Sequence, residues 1–74
     1  MNVSMGYKGF LVRGLAVSNP STRFWTPWAD VTTHIGTVRR RVCFLRGPTG
    51  VYMNGQEARS FAIRMAEIWI DGHR

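Results

Sequence analysis

From Asn54 onward the chain carries one apolar stripe. Ala58, Phe61, Ala62, Met65, Ile68 and Trp69 recur at three- and four-residue spacing, while Gln56, Glu57, Arg59, Ser60, Arg64, Glu67 and Asp71 fall largely elsewhere. That period predicts an amphipathic helix over about residues 55–70. Asn54 can accept the orphan N–H groups of the first turn, and Glu57, three residues on, adds a capping-box partner and negative charge at the positive end of the helix dipole. Burying four large residues of the stripe at roughly 1.5–3 kcal/mol each exceeds what helix propensity supplies, so this helix must dock on something.

The preceding segments read as strands, which makes the partner a sheet. Residues 7–17 are rich in β-branched and aromatic types, broken by Gly9 and Gly14 and stopped by Ser18-Asn19-Pro20-Ser21. Trp28-Ala29-Asp30-Val31-Thr32-Thr33-His34 alternates as a second strand, with Pro27 at its start, where a missing N–H does least harm. Gly36 lies in the short link to residues 38–45, so the second and third strands form an antiparallel hairpin, ended by Arg46-Gly47-Pro48-Thr49-Gly50. The expected fold is α+β: a three-stranded antiparallel sheet over about 7–17, 28–34 and 38–45, with one C-terminal helix over about 55–70 packed on one face. A single small domain spans 1–74, with frayed ends at about 1–5 and 72–74.

Strand alternation then sorts the side chains. Phe10, Val12, Ala16, Ala29, Val31, Thr33, Val38, Val42 and Phe44 are expected toward the helix, with Arg40 breaking the pattern near the hairpin end. The uncovered face collects Leu11, Arg13 and Leu15, then Trp28, Asp30, Thr32 and His34, then Arg39, Arg41, Cys43 and Leu45. With a helix on one side only, function is sought on the other.

Composition narrows the classes. A chain of 74 residues buries only about 60% of the surface its unfolded form exposes. The lone Cys43 permits no disulfide framework, so stability calls for a well-used core, a partner subunit or both. The single cysteine, and a start that lacks a basic, continuously apolar leader, point to the cytoplasm. No apolar run approaches the roughly 20 residues needed to cross a bilayer, so no membrane partner is expected. Residues 1–56 hold seven basic residues against one acid, whereas 57–74 hold three of each, so the net charge of +6 belongs to the part ahead of the helix. Nine of the ten basic residues are Arg, whose planar fork suits phosphate or carboxylate and stacks on aromatic rings.

Catalysis finds little support. Of four carboxylates three lie on the helix or its end, and no Ser or Cys stands in a recognisable nucleophile motif, so no enzyme and no catalytic residue is expected. Asp30, His34 and Cys43 resemble a ligand cluster only loosely and read as a surface His beside a small buried thiol, which leaves no metal site. The dispersed glycines form no phosphate loop, and those of Gly47-Pro48-Thr49-Gly50 are turn residues; no cofactor and no small-molecule substrate is indicated.

The run Arg39-Arg40-Arg41, with Arg46 beyond it, is the best candidate site. In a strand Arg39 and Arg41 share a face about 7 Å apart, a spacing that matches adjacent phosphates along one nucleic-acid strand. Arg13, Trp28, Arg23 and Trp25 extend this into a basic surface interleaved with aromatics, in which Arg meets phosphate and Trp offers a stacking platform. The competing explanation is that the arginines guard an exposed strand against aggregation while the tryptophans pack the core.

The chain resembles a loose group of small bacterial proteins that share a Y-[RK]-G-[FY] start, a Trp-led second strand and a helix ending in A-x-x-W-I-D. Here these are Tyr7-Lys8-Gly9-Phe10, Trp28 to Val31, and Ala66-Glu67-Ile68-Trp69-Ile70-Asp71. The resemblance implies the three-strand-plus-helix fold and brings no established activity with it. Tyr7-Lys8-Gly9, Trp28-Ala29-Asp30-Val31 and Glu57-Ala58 with Ala62 are also similar to the Y-R-G, W-x-A-x-I and E-A-A-x-A elements of plant ethylene-response DNA-binding domains, whose sheet enters the major groove. The Arg-rich stretch after Y-R-G is replaced here by Phe10-Leu11-Val12, and the W-L-G-T-F element by Gly50-Val51-Tyr52-Met53, so the likeness is one of fold.

The leading expectation is a small basic nucleic-acid-binding module, for DNA or RNA, using Arg13, Arg23, Trp25, Trp28, Arg39 and Arg41. The alternative is a protein-interaction or homodimerisation module built on Leu11, Leu15, Trp28, Cys43 and Leu45.

Overall fold

The computed structural model describes residues 3–35 and 38–72. In chain order the elements are β1 (Val3–Tyr7), β2 (Phe10–Ser18), β3 (Trp25–Ile35), β4 (Val38–Arg46) and α1 (Gly55–Gly72). The strands form one antiparallel sheet in the order β1-β2-β3-β4, and α1 lies across the face carried mainly by β2 and β3. The α+β class, the antiparallel sheet and the single C-terminal helix agree with the sequence pattern, but the sheet has four strands, not three.

The additional strand arises from a turn inside what reads as one continuous strand. Lys8 and Gly9 have φ of +48° and +88°, so the chain reverses between Tyr7 and Phe10, which pair across the turn. Positive φ at both central residues is what a two-residue type I′ hairpin requires. Val3 to Tyr7, partly assigned to a frayed end by the sequence, run back along β2 from Val3↔Gly14 to Tyr7↔Phe10. The turn is tied to the far end of the helix: the Tyr7 hydroxyl donates to the Asp71 carboxylate at 3.0 Å, and Lys8 Nζ pairs with it at 2.7 Å. The residues that carry the resemblance at the two ends of the chain therefore meet in space.

β3 starts at Trp25, three residues earlier than the alternation suggests, which places Pro27 inside a central strand. A strand residue directs its N–H and C=O to the same neighbour, and the Pro27 carbonyl accepts from Gly47 N–H at 2.8 Å on the β4 side. Pro27 therefore lacks its N–H where β4 has just ended at Arg46, and the ladder to β2 loses nothing.

β4 contains an irregularity that no pattern in the sequence marks. Val31 pairs with Cys43 but Thr32 pairs with Arg41, leaving Val42 as the extra residue of a β-bulge. One inserted residue reverses the facing of everything beyond it. Arg41 keeps its expected side, whereas Cys43 and Leu45 turn toward the helix and pack on the core, and Phe44 turns to the uncovered face opposite Asp30. Gly36, the expected turn glycine of this hairpin, lies outside the described residues; Ile35 and Val38 on either side of it are paired.

Helix α1 is capped by Asn54, as expected. The Asn54 side-chain oxygen accepts from the N–H groups of Gln56 at 2.8 Å and Glu57 at 3.3 Å, and its carbonyl takes the first helical bond from Ala58. The buried track is Ala58, Ala62, Ala66 and Ile70, spaced four apart, with Ile63, Met65 and Trp69 half-buried beside it. Ile68, an expected stripe member, is 65% exposed. The helix is turned so that its alanines face Val12, Ala29 and Val31, which lets it approach the sheet closely. At the nearest point, a Cβ on Gly14 would lie 2.7 Å from Ile63 Cγ1 and 3.0 Å from the Arg59 carbonyl oxygen.

Candidate nucleic-acid interface

On the face opposite α1, the β2–β3 register sets Arg13 across from Asp30 and Leu15 across from Trp28, and the β3–β4 register sets Asp30 across from Phe44 and Trp28 across from Arg46. Asp30 is only 6% exposed, and two guanidiniums converge on it: Arg41 Nε at 2.9 Å and Arg13 Nη2 at 3.3 Å. Burial of a carboxylate is tolerated when it is paired and hydrogen-bonded in this way. Among the described residues Arg41 is hydrogen-bonded through Nε, to Asp30, and its outer nitrogens remain for an added acceptor.

Beside this cluster the aromatic rings associate. Trp28 and Phe44 stack with centroids 5.0 Å apart and planes inclined by 23°. Arg41 Cζ lies 4.9 Å from the Phe44 centroid and Arg46 Cζ lies 5.7 Å from that of Trp28, so each ring of the pair carries its own cation. Phe44 remains 45% exposed. The bulge at Val42 creates this arrangement, since without it Phe44 would face the helix.

The expected site residues divide. Arg13, Trp28 and Arg41 come together on the uncovered face. Arg23 is exposed in the β2–β3 loop at φ +65°, where its N–H donates to the Asn19 carbonyl. Trp25 does not join them: it lies in β3 rather than the loop, and its ring packs against Gly55 at the start of α1. Arg39 pairs through its backbone with His34, and the side chains of both lie outside what the structure describes. Phe44 is the site residue that the sequence misplaces, and Arg46, noted in the Arg run, belongs beside Trp28.

The loose Asp30–Cys43 grouping separates, because Cys43 faces the helix, where burial raises its thiol pKa. Among the described residues no group of three or more His, Cys, Asp or Glu could hold a metal ion, and no helix is long and apolar enough to cross a membrane.

Concavities border these elements. One of about 410 Å³ opens at the end of the uncovered face, walled by Trp28, Arg46, Val17, Ser18 and Thr26 of the sheet and by Asn19, Pro20 and Thr49 of the adjoining loops. A larger one of about 540 Å³, at the start of α1, is lined by Glu57 and no cation, which makes it a poor seat for an anion. No protein-family model, curated protein or solved structure matches this chain.

Proposed function

We propose that this small basic domain is a nucleic-acid-binding module whose contact surface is the uncovered sheet face. The observation that carries the reading is the stacked Trp28–Phe44 pair with an arginine against each ring. Aromatic rings supply sequence-tolerant stacking for bases, and arginines at their margins meet the phosphates that follow each base. The charge balance agrees: the face holds Arg13, Arg41 and Arg46 against Asp30, while α1 holds Arg59 and Arg64 against Glu57, Glu67 and Asp71. An anionic polymer is drawn to the first side and not the second. Arg23, exposed in the β2–β3 loop, is a further candidate contact in this reading, and Arg39 is one on its sequence position alone.

The test is fluorescence-anisotropy titration of mixed-sequence DNA and RNA across a salt series, with the wild type and an Arg41→Ala/Arg46→Ala variant checked for folding by circular dichroism. About three phosphate contacts give a slope of log affinity on log salt near −3, which falls toward −1 in the variant. Binding that ignores salt, or a variant that binds like the wild type, removes the reading.

A second reading rests on Val17 and Phe44, which leave apolar surface exposed on the same face at 55% and 45%. A protein-interaction or homodimerisation module would use Leu11, Leu15, Trp28 and Phe44, without Cys43 and Leu45. Sedimentation across a dilution series distinguishes self-association from a persistent monomer.

A further inference from the structure

Resting on the nucleic-acid reading, we propose that the ligand is a single-stranded polynucleotide and that one of its nucleotides seats in the concavity beside Trp28. Three observations lead there. The aromatic pair lies within the sheet, on β3 and β4, and not on a projecting tip. Bases in a duplex are stacked on one another, so only an unpaired base offers its π-face to a ring set in a broad surface.

The acid and the hydroxyl in the middle of the face are also engaged within it. Arg13 and Arg41 both bond Asp30, and Thr32 Oγ1 lies 3.5 Å from the Leu11 carbonyl. Reading base edges in a groove needs acceptors as well as donors free to reach outward; Asp30 is taken up by the two arginines, and the outer nitrogens of Arg41 remain for a phosphate.

The concavity, by contrast, has the parts a nucleotide needs. Trp28 provides a ring wall, Arg46 a cation for the phosphate, and the short side chains of Ser18, Asn19, Thr26 and Thr49 provide donors and acceptors for a base edge or sugar. Its volume of about 410 Å³ falls within the range of about 300–1,000 Å³ usual for small-ligand sites. The same chemistry is offered by DNA and by RNA, so both belong in the test.

The experiment compares binding of short oligothymidylate, oligouridylate and a duplex of equal length by fluorescence anisotropy at one salt concentration. Single strands are expected to bind at least about tenfold more tightly than the duplex. Thr49→Glu, on an exposed loop, sets a carboxylate against Arg46 and is expected to weaken single-strand binding about tenfold; Ser60→Glu adds the same charge on the helix side and is expected to change it little. Equal affinity of thymidylate and uridylate assigns the seat to base and phosphate, and a preference for uridylate adds the sugar hydroxyl; either outcome supports the proposal. Duplex binding as tight as single-strand binding overturns it while leaving the nucleic-acid reading intact. Equal loss in Thr49→Glu and Ser60→Glu overturns the seat at Trp28, and no binding to any of the three ligands overturns both readings.

Discussion

β2 and β3 turn Val12, Gly14, Ala29 and Val31 toward α1, and Arg13, Leu15, Trp28 and Asp30 away from it. The centre of the covered side is made of small residues, with Phe10 and Leu45 packed partly buried against it, and its fit depends on close approach: alanines of the helix lie on Val12, Ala29 and Val31, with a glycine where the backbones come nearest. The uncovered side is made of large residues joined edge to edge by stacking and ion pairs, with Phe44 still 45% exposed. A sheet face that only had to meet water would be served by threonine and lysine. The carboxylate is satisfied within the face by its two arginines, whereas Phe44 still leaves apolar ring surface in water. Close packing is therefore concentrated on one side and exposed rings and cations on the other, and substitutions can test that division.

The strongest test lies at the closest approach. Gly14→Val puts a branched side chain where even a Cβ would stand 2.7 Å from Ile63, so α1 must lift from β2. Overpacking of this kind is expected to cost about 3 kcal/mol or more in urea denaturation, a large share of the stability of a chain this size. A loss below about 1 kcal/mol would show that the covered face tolerates a gap and would break the comparison.

Asp30→Ala probes the other face. Removing the carboxylate leaves Arg13 and Arg41 without their shared partner, but both side chains reach water, at 41% and 58% exposure. The expected destabilisation is therefore about 2 kcal/mol, less than for a fully enclosed pair. The same change removes the only acid from the cluster, so oligonucleotide affinity at low salt should rise as stability falls. A parallel fall in both would mean that Asp30 holds the arginines in their binding geometry.

How much of this was legible in the sequence follows from what each signal depends on. The helix and its Asn54 cap announce themselves because helical periodicity and capping are local in sequence. The β1–β2 turn hides because Lys8-Gly9 is a weaker hairpin signal than Asn-Gly or Asp-Gly, so Tyr7 and Phe10 read as one strand. The bulge hides for another reason: Val42, Cys43, Phe44 and Leu45 are all apolar, and a run without alternation cannot reveal which residue is extra. That single residue decides whether Phe44 belongs to the core or to the site. Arg13, Trp28 and Arg41 lie before the irregularity or on a regular strand, so their common face could be read directly.

Asn54→Ala tests the element whose reading was most local. Its side chain satisfies two first-turn N–H groups, and its loss is expected to cost about 1 kcal/mol in thermal or urea denaturation, with nucleic-acid affinity unchanged because the cap lies on the helix side.

The smallest expected effect is the sharpest test of the helix's rotation. Periodicity alone counts Ile68 in the apolar stripe, yet it is 65% exposed, while Ile70, two residues on, is fully buried against the sheet. Ile68→Gln should therefore change the urea midpoint by an amount equivalent to no more than about 0.5 kcal/mol. Were it to cost as much as a core truncation, about 2–5 kcal/mol, Ile68 would have to be covered in solution. Either the helix would be turned by part of a turn, bringing a different set of residues to Gly14, or a second copy would cover its outer face. A dilution series separates those cases, because only the second makes the cost depend on protein concentration.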